Sequence, residues 1–561
     1  MASVHRWFPF LAWPRPDAAL LRGEVLAGLT VGLMVIPQGV AYAALAGMPL
    51  ITGIYASMLP ALVAALFSAS TRLSVGPTAL SCLLVGSSLT GLAEPGSARW
   101  VELAVWLALL TGVLQVALGF LRFGWLLNII SSPVLMGFTQ AAALLIISSQ
   151  LPALLGFKAG WSQWLTQPGI HGASAAFGLA SLALLVLVRR WRPAFPSVLF
   201  IVAGAAAISA GIGFEAAGGS VVGTLPAGLP ALVLPGLLDW HTLSLLLMPT
   251  LVITLVSFLE TASSAKVENQ REGQRWDQDQ DLVGQGLAKI ASGLSGAFPT
   301  SSSFSRSALN LYAGARTGWA TVVSVGVVLI ALMLFTPTLR HVPQAVLAAI
   351  VVVAVVGLLK PAGLVRLWHV SRVEATTAGV TFLITLLASP QLYWGVLAGV
   401  LMGLSHFLYQ RLHPRIIEVG LHPDGSLRDR HLWHLPPLAP HLYALRMDAE
   451  LDFAAASDFE RAVVEHLGAH TSIAHVCLFA QPINRIDATG VETFGQLRRQ
   501  LAARGVTLHI SGIKLPVEHV LRRAGELPEG PHLRLYRTDA DALVALAKLE
   551  ALPADLAAAM I

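Results

Sequence analysis

The chain has 561 residues, 55% hydrophobic and only 12% charged, with a formal net charge of +5 and a mean hydropathy of +0.69. Soluble domains carry roughly a quarter charged residues, so a soluble fold is excluded for most of the length. The apolar runs lack two-residue alternation, which argues against a lipid-spanning β-barrel. The basic residues sit in short loops between these runs, where they read as topology anchors and not as a nucleic-acid surface.

Residues 1–22 hold Arg6, Arg15 and Arg22 ahead of a long apolar run without a small-residue cleavage site. They are expected to be a cytoplasmic N-terminal segment leading into a permanent first span. Apolar stretches near the roughly 20 residues a spanning helix needs then predict about fourteen helices. Their spans are 23–46, 52–70, a short 77–92, 100–121, 129–151, 173–188, 195–212, 244–265, 281–298, a short 302–314, 317–339, 343–359, 373–389 and 391–410. Residues 152–172, with Trp161 and Trp164, read as interfacial, and the Gly/Pro-rich stretch 213–243 as an external loop. Arg72, Arg122, Arg189, Arg190, Lys266, Arg316, Lys360 and Arg372 all follow even-numbered spans. The positive-inside rule therefore puts both termini in the cytoplasm, in a multi-pass protein of the inner (plasma) membrane.

Fourteen spans divide into two sevens, about 23–212 and 244–410, with the short helix third in each. An odd number per repeat forces the repeats to be inverted, so the short helices enter from opposite sides and meet near the midplane. The membrane domain is expected over 23–412. Residues 413–440 hold five prolines and read as a linker. Residues 441–548 predict a small α/β domain, with strands at 442–447, 473–479, 507–511 and 532–536 and helices near 456–467, 488–504, 514–524 and 538–549. A tail, 549–561, follows.

The candidate site lies at the starts of the two short helices, Ser74-Val75-Gly76-Pro77-Thr78-Ala79 and Phe298-Pro299-Thr300-Ser301-Ser302-Ser303-Phe304-Ser305-Arg306. A helix N-terminus leaves N–H groups without intrahelical partners and carries about half a positive charge, so two converging ends suit an oxyanion without a metal. Pro77 is expected in the first helical turn, and Ser303 and Ser305 supply hydroxyls. Arg306 is an intramembrane cation, which is a functional hypothesis by default; snorkelling to the cytoplasmic edge, bracing of the core and pairing with Glu260 are the structural alternatives. Glu260 lies inside an apolar run, where desolvation favours proton exchange. Thr261 and Ser264 add oxygens, which leaves sodium open as the coupling ion. The polar run from Glu268 to Asp281 reads as a solvated loop. His171, His241 and the His431–His434 cluster lack metal-ligand spacing, Cys82 and Cys477 imply no disulfide framework, and neither a phosphate-binding loop nor a nucleophile elbow occurs. No metal, cofactor or enzymatic activity is expected.

The sequence resembles the sulphate-permease (SulP) anion transporter family. The motifs that carry the resemblance are Pro37-Gln38-Gly39-Val40-Ala41-Tyr42, Gly53-Ile54-Tyr55, Thr71 to Ala79, Glu260 and Ser303 to Asn310; Asp487-Ala488-Thr489-Gly490-Val491 resembles the STAS-domain signature. The resemblance implies an α-helical polytopic membrane protein with core and gate domains moving in an elevator-like cycle, plus a C-terminal α/β STAS-like domain. It places Gln38 and Tyr42, four apart on one helix face, beside a substrate held by Pro77, Thr78, Ala79, Ser303, Phe304, Ser305 and Arg306. Glu260 and Ser264 then belong to coupling by H⁺ or Na⁺. Proton-coupled sulphate uptake is the first expectation. Na⁺-coupled bicarbonate, dicarboxylate or chloride exchange, an anion channel and a membrane-tethered signalling protein are the alternatives. Partner-switching STAS domains carry a serine where this chain has Ala488, which favours a scaffold or dimer role. The partners expected are the anion, the bilayer, a second copy of the chain and a cytoplasmic protein on the STAS-like domain, with no nucleic acid.

Overall fold

The computed structural model describes residues 8–157, 170–191, 196–226, 228–273, 275–334, 339–528 and 530–549. The chain divides into two units, Met1–Gly403 and Leu404–Ile561. The core of the stretch read as interfacial, 158–169 with Trp161 and Trp164, lies outside the described residues, as does the tail from 550.

In the first unit, α1 (Ala18–Leu45) starts where Asp17 Oδ1 accepts the Leu20 N–H at 2.7 Å, an N-cap that satisfies an orphan donor. A single turn, Thr52–Tyr55, precedes α2 (Leu59–Phe67), so the predicted 52–70 helix is broken. Then come β1 (Val75–Gly76), α3 (Ala79–Leu89), α4 (Ala98–Phe120), α5 (Ser132–Leu154), α6 (Gly172–Trp191) and α7 (Ser197–Gly211). The second half follows the same order with α8 (Trp240–Glu272), α9 (Gln278–Leu294), β2 (Ser301–Ser302), α10 (Phe304–Tyr312), α11 (Trp319–Leu334), α12 (Gln344–Val356), α13 (Pro361–Val370), α14 (Arg372–Leu387) and α15 (Tyr393–Leu412). Helix lies over each of the fourteen predicted stretches. Among the described residues, α13 is an unforeseen α-helix, with Pro361 in its first turn and no buried residue. Among the described residues, six helical stretches are long and apolar enough to cross a membrane, from Ala18–Leu45 to Gln344–Val370.

Their burial is inverted relative to a soluble protein. Thr111, Gln115, Ser257, Thr261, Thr381 and Thr385 are buried, whereas Leu179, Val186, Phe200, Leu247 and Ile330 are exposed. Lipid removes the hydrophobic drive between helices, so small and polar residues make the interfaces. At the α4–α9 crossing, a Cβ on Gly112 would meet the Gly286 carbonyl at 2.7 Å, and one on Gly286 the Gly112 carbonyl at 2.7 Å; the backbones touch there. Helix α9 packs on α4 and α2, and α11 on α1, while α5 packs on α14 and α12, and α12 on α6. These are two clusters, the first holding both short helices and the second flanking it, as expected of a core and a gate.

The second unit is a six-stranded sheet in the order β4-β3-β5-β6-β7-β8. Its strands are β3 (Ile416–Leu421), β4 (Leu427–Asp429), β5 (Leu442–Met447), β6 (His475–Phe479), β7 (Thr507–Ser511) and β8 (Leu533–Tyr536); β5 to β8 run parallel and β3 is antiparallel to both neighbours. The linker reading of 413–440 is thereby corrected: β3 and β4 lie inside it. Pro423 sits in their connection, and charges and prolines are how edge strands are protected from pairing elsewhere. Side chains alternate across the sheet. Leu445, Val476, Leu478, Leu508 and Ile510 face one core with α16 (Ala456–Ala469), α17 (Ala488–Ala503) and α18 (Leu515–Arg523), and Ala444, Cys477 and Phe479 face a second with α19 (Asp539–Leu549). Asp487 of the STAS-like motif caps α17, accepting from Gly490 N at 2.8 Å, and its other oxygen takes the Phe453 N–H at 3.0 Å.

Candidate functional site

The two half-helices meet. β1 and β2 pair antiparallel, Val75 opposite Ser302 and Gly76 opposite Ser301, and Ser303 N donates to Ser74 O at 3.0 Å. Each strand runs within a few residues into its helix, so α3 and α10 leave the pair in opposite directions with their positive ends toward it. Thr78 is the N-cap of α3 and Ser303 that of α10; their hydroxyls accept from Ser81 N and Arg306 N. Helix α3 begins at Ala79, so Pro77 stands just outside the first turn instead of in it. Its fixed φ steers the strand toward the cap.

A cavity of about 530 Å³ opens at this junction. Met34, Gln38 and Tyr42 of α1, Thr78 and Ala79, Glu260 of α8, and Ser303, Phe304 and Ser305 line it from one cluster. Leu185 and Arg189 of α6, Ser197 and Val198 of α7, and Ile350, Val353 and Lys360 line it from the other. Of the residues singled out in the sequence, Pro77, Thr261, Ser264 and Arg306 are not on its wall. The Ser264 hydroxyl instead donates to the Glu260 carbonyl at 3.2 Å.

Arg306 is 1% exposed and lies behind β1. Its Nε donates to Ser74 Oγ at 3.2 Å and its Nη1 to Gln38 Oε1 at 3.5 Å. Its Nη2, which has no hydrogen-bond partner among the described residues, lies 3.4 Å from where a Gly76 Cβ would sit. Pairing with Glu260 is not observed: Glu260 Oε2 accepts instead from Thr78 Oγ1 at 3.0 Å and Ser81 Oγ at 3.2 Å. Thr78 therefore joins the cap of α3 to the carboxylate. Asn310 donates to Arg72 O at 2.8 Å, a fastening role away from the cavity.

Sequence reasoning passed over two buried charges. Lys289 of α9 is 0% exposed, and its Nζ donates to Gln115 Oε1 at 2.9 Å. Glu24 is buried and takes the N–H groups of Arg316, Thr317 and Ala320, capping α11. A lone charge inside an apolar run was the available signal for both. The solvated-loop reading of 268–281 is corrected at its ends. Glu268 and Asp281 are buried; Glu268 Oε1 accepts from Arg72 Nε at 3.0 Å, and Asp281 accepts from Ser70 N, Ser70 Oγ and Trp276 Nε1 at 2.9, 2.7 and 2.6 Å. Among the described residues no group of three or more metal-ligating side chains occurs.

Half-helices joined head to head beside a cavity between two helix clusters define the inverted-repeat class of membrane transporters. The Sulfate permease family profile matches residues 21–381 and the STAS domain profile residues 437–542; the chain belongs to the sulfate permease family, a family of anion transporters and not of enzymes. It is 33% identical over 548 residues to Probable sulfate transporter 4.2 of Arabidopsis thaliana, covering 92% of this chain and 80% of that one. It is 32% identical over 522 residues to Probable sulfate transporter Rv1739c of Mycobacterium tuberculosis, covering 90% and 92%. The fold matches solved SLC26A9 with a TM-score of 0.87 at 21% identity, over 100% of this chain and 95% of that one. It also matches the transmembrane domain of the cyanobacterium bicarbonate transporter BicA, with a TM-score of 0.58 at 20% identity over 69% and 99%.

Proposed function

We propose that the protein takes up sulphate together with a proton, holding the anion between the N-termini of α3 and α10 and carrying it by elevator-type alternating access. The observation that supports this most is the β1–β2 pairing, which joins two opposed helix N-termini at the cavity wall. Amides and hydroxyls at Thr78, Ala79, Ser303 and Ser305 bind the oxyanion. Gln38 offers an amide and Tyr42 walls the cavity. Glu260 is the coupling group: ionised, it repels the anion, and protonated, it admits it. The relatives named as sulfate transporters favour that substrate. The cluster bearing α3 and α10 moves against the cluster of α5, α6, α7, α12 and α14. The protein works in the plasma membrane with both termini cytoplasmic, as a homodimer in which the STAS domain serves as scaffold.

Purified protein in vesicles tests this. Labelled sulphate should accumulate when the outside is more acidic, with no need for Na⁺. Strong bicarbonate uptake driven by a Na⁺ gradient, with no sulphate flux, would overturn the reading in favour of bicarbonate transport, the activity in the name of BicA.

A further inference from the structure

Lys289 has no role in the cycle just proposed, yet it is wholly buried in the membrane unit. A cation there costs at least ~2.5 kcal/mol unless something answers its charge. Among the described residues it makes no ion pair, and its hydrogen bond goes to neutral Gln115. Gln115 in turn donates to Thr254 O at 3.1 Å and Ser257 Oγ at 3.2 Å. The Ser257 carbonyl accepts from Ser301 Oγ and from Thr261 Oγ1, both at 3.0 Å. Ser301 is a residue of β2, and the strand it pairs with leads into Thr78, whose hydroxyl donates to the Glu260 carboxylate. A continuous polar path therefore runs from the ammonium to the junction of the half-helices.

The charges around Glu260 can be counted. Lys289 acts on it from α9 and Arg306 from α10, while Tyr42 of α1 and Cys82 of α3 face the same group as neutral side chains. Helix α2 carries no ionisable residue, and those of α4, Arg99 and Glu102, lie at its far end. Arg189 and Lys360 reach the cavity from the other cluster but are exposed, so solvent screens them. The other buried carboxylates of α8 and α9 are engaged elsewhere, Glu268 with Arg72 and Asp281 with Ser70 and Trp276. Among the described residues both cations lack a counter-charge when Glu260 is protonated, and one does when it is ionised.

We propose that Lys289 is a specificity-determining residue that sets the valence of the anion: with Arg306 and protonated Glu260 it supplies the second positive charge that a divalent oxyanion needs. This rests on the proposed reading of the site. Lys289 touches no substrate and acts through its field and the Gln115–Ser257–Ser301 path. For any unit charge at a separation on the order of 10 Å and an effective dielectric near 20, its removal changes the preference for a doubly over a singly charged ion by roughly tenfold.

The test is competition between sulphate and chloride in vesicles at pH 6, for the wild type, Lys289→Gln, Lys289→Arg and Gln115→Glu. The last variant neutralises the lysine in place and covers the case where Lys289→Gln does not fold. Lys289→Gln and Gln115→Glu should lower the sulphate-to-chloride uptake ratio about tenfold with chloride flux kept, and Lys289→Arg should preserve it. An unchanged ratio in either neutralised variant, with sulphate uptake intact in the wild type, overturns the role of Lys289 alone. Loss of the preference in Lys289→Arg equal to that in Lys289→Gln also overturns it. A wild type that prefers chloride overturns the sulphate reading as well.

Discussion

Replacing Glu260 with glutamine separates anion binding from proton coupling. The carboxylate Oε2 accepts from Thr78 Oγ1 and Ser81 Oγ, and a glutamine carbonyl can accept from both while resembling the protonated acid in shape and charge. The cradle should survive, so sulphate counterflow, which needs no net proton movement, should continue at a rate within about threefold of wild type. Net uphill uptake should not. One proton carried per anion contributes about 1.4 kcal/mol for each pH unit across the membrane, a tenfold accumulation. Vesicles buffered inside at pH 7.5, diluted into pH 6.5 and held at zero membrane potential with equal potassium and valinomycin, because each cycle moves one net negative charge, should thus concentrate labelled sulphate about tenfold with wild type and reach only equality with Glu260→Gln. Tenfold accumulation by the variant would refute Glu260 as the coupling group.

Thr78→Val and Ser303→Ala each remove an N-cap, worth ~1 kcal/mol, at a helix end facing the cavity; each should raise the KM for sulphate about fivefold in initial-rate uptake. Gly53→Ala should abolish the folded protein, because its Cβ would land on the Gly39 carbonyl, whereas Gly326→Ala meets nothing within 4 Å and should leave the thermal midpoint in detergent unchanged or slightly higher. In the STAS domain, burial and the nearby His475 and Arg534 push His509 down from its ordinary value to about 4. The unfolded chain binds that proton near pH 6.5 and the folded one does not, so stability is lost as pH falls from 6.5 toward 4, by up to about 3 kcal/mol. Hydrogen exchange of the β6–β8 amides in the full-length protein should show that slope, and His509→Gln should flatten it.

The membrane fold was legible because its governing signal, apolar length, is local, and the parallel strands were legible as short apolar runs between amphipathic helices. The edge strands β3 and β4 were not, because Pro414, Pro423 and the charges of 413–440 are both the mark of a linker and the means by which an edge is protected. At the site, Thr78 and Ser303 could be placed by their position before short helices, and Gln38 and Tyr42 by resemblance. The partners of Glu260, Asp281 and Lys289 could not be. Ser81, Ser70 and Gln115 lie 179, 211 and 174 residues away in the chain, and no periodicity reports a contact of that kind. Glu268 and Asp281 sit in a run that is polar at almost every position, so nothing local distinguishes the buried members from the solvated ones.

The position of Arg306 bears on how such a site can let its cargo go. A guanidinium on the cavity wall would meet an oxyanion in a bidentate, charge-assisted pair, and a carrier that binds this tightly releases slowly. Here the side chain turns behind β1, spends Nε on Ser74 and Nη1 on Gln38, and leaves the wall to Thr78, Ala79, Ser303 and Ser305. Its charge still acts on the cavity through a low-dielectric interior, where fields are screened little. Attraction then comes from the field and shape from neutral donors that water can replace. The same β1–β2 pair that shields the arginine also ties α3 to α10, which in the proposed cycle would let the two helix ends move as one. In the proposed cycle the anion therefore experiences one constant cradle, and what changes between loading and release is the proton on Glu260 and the access of water.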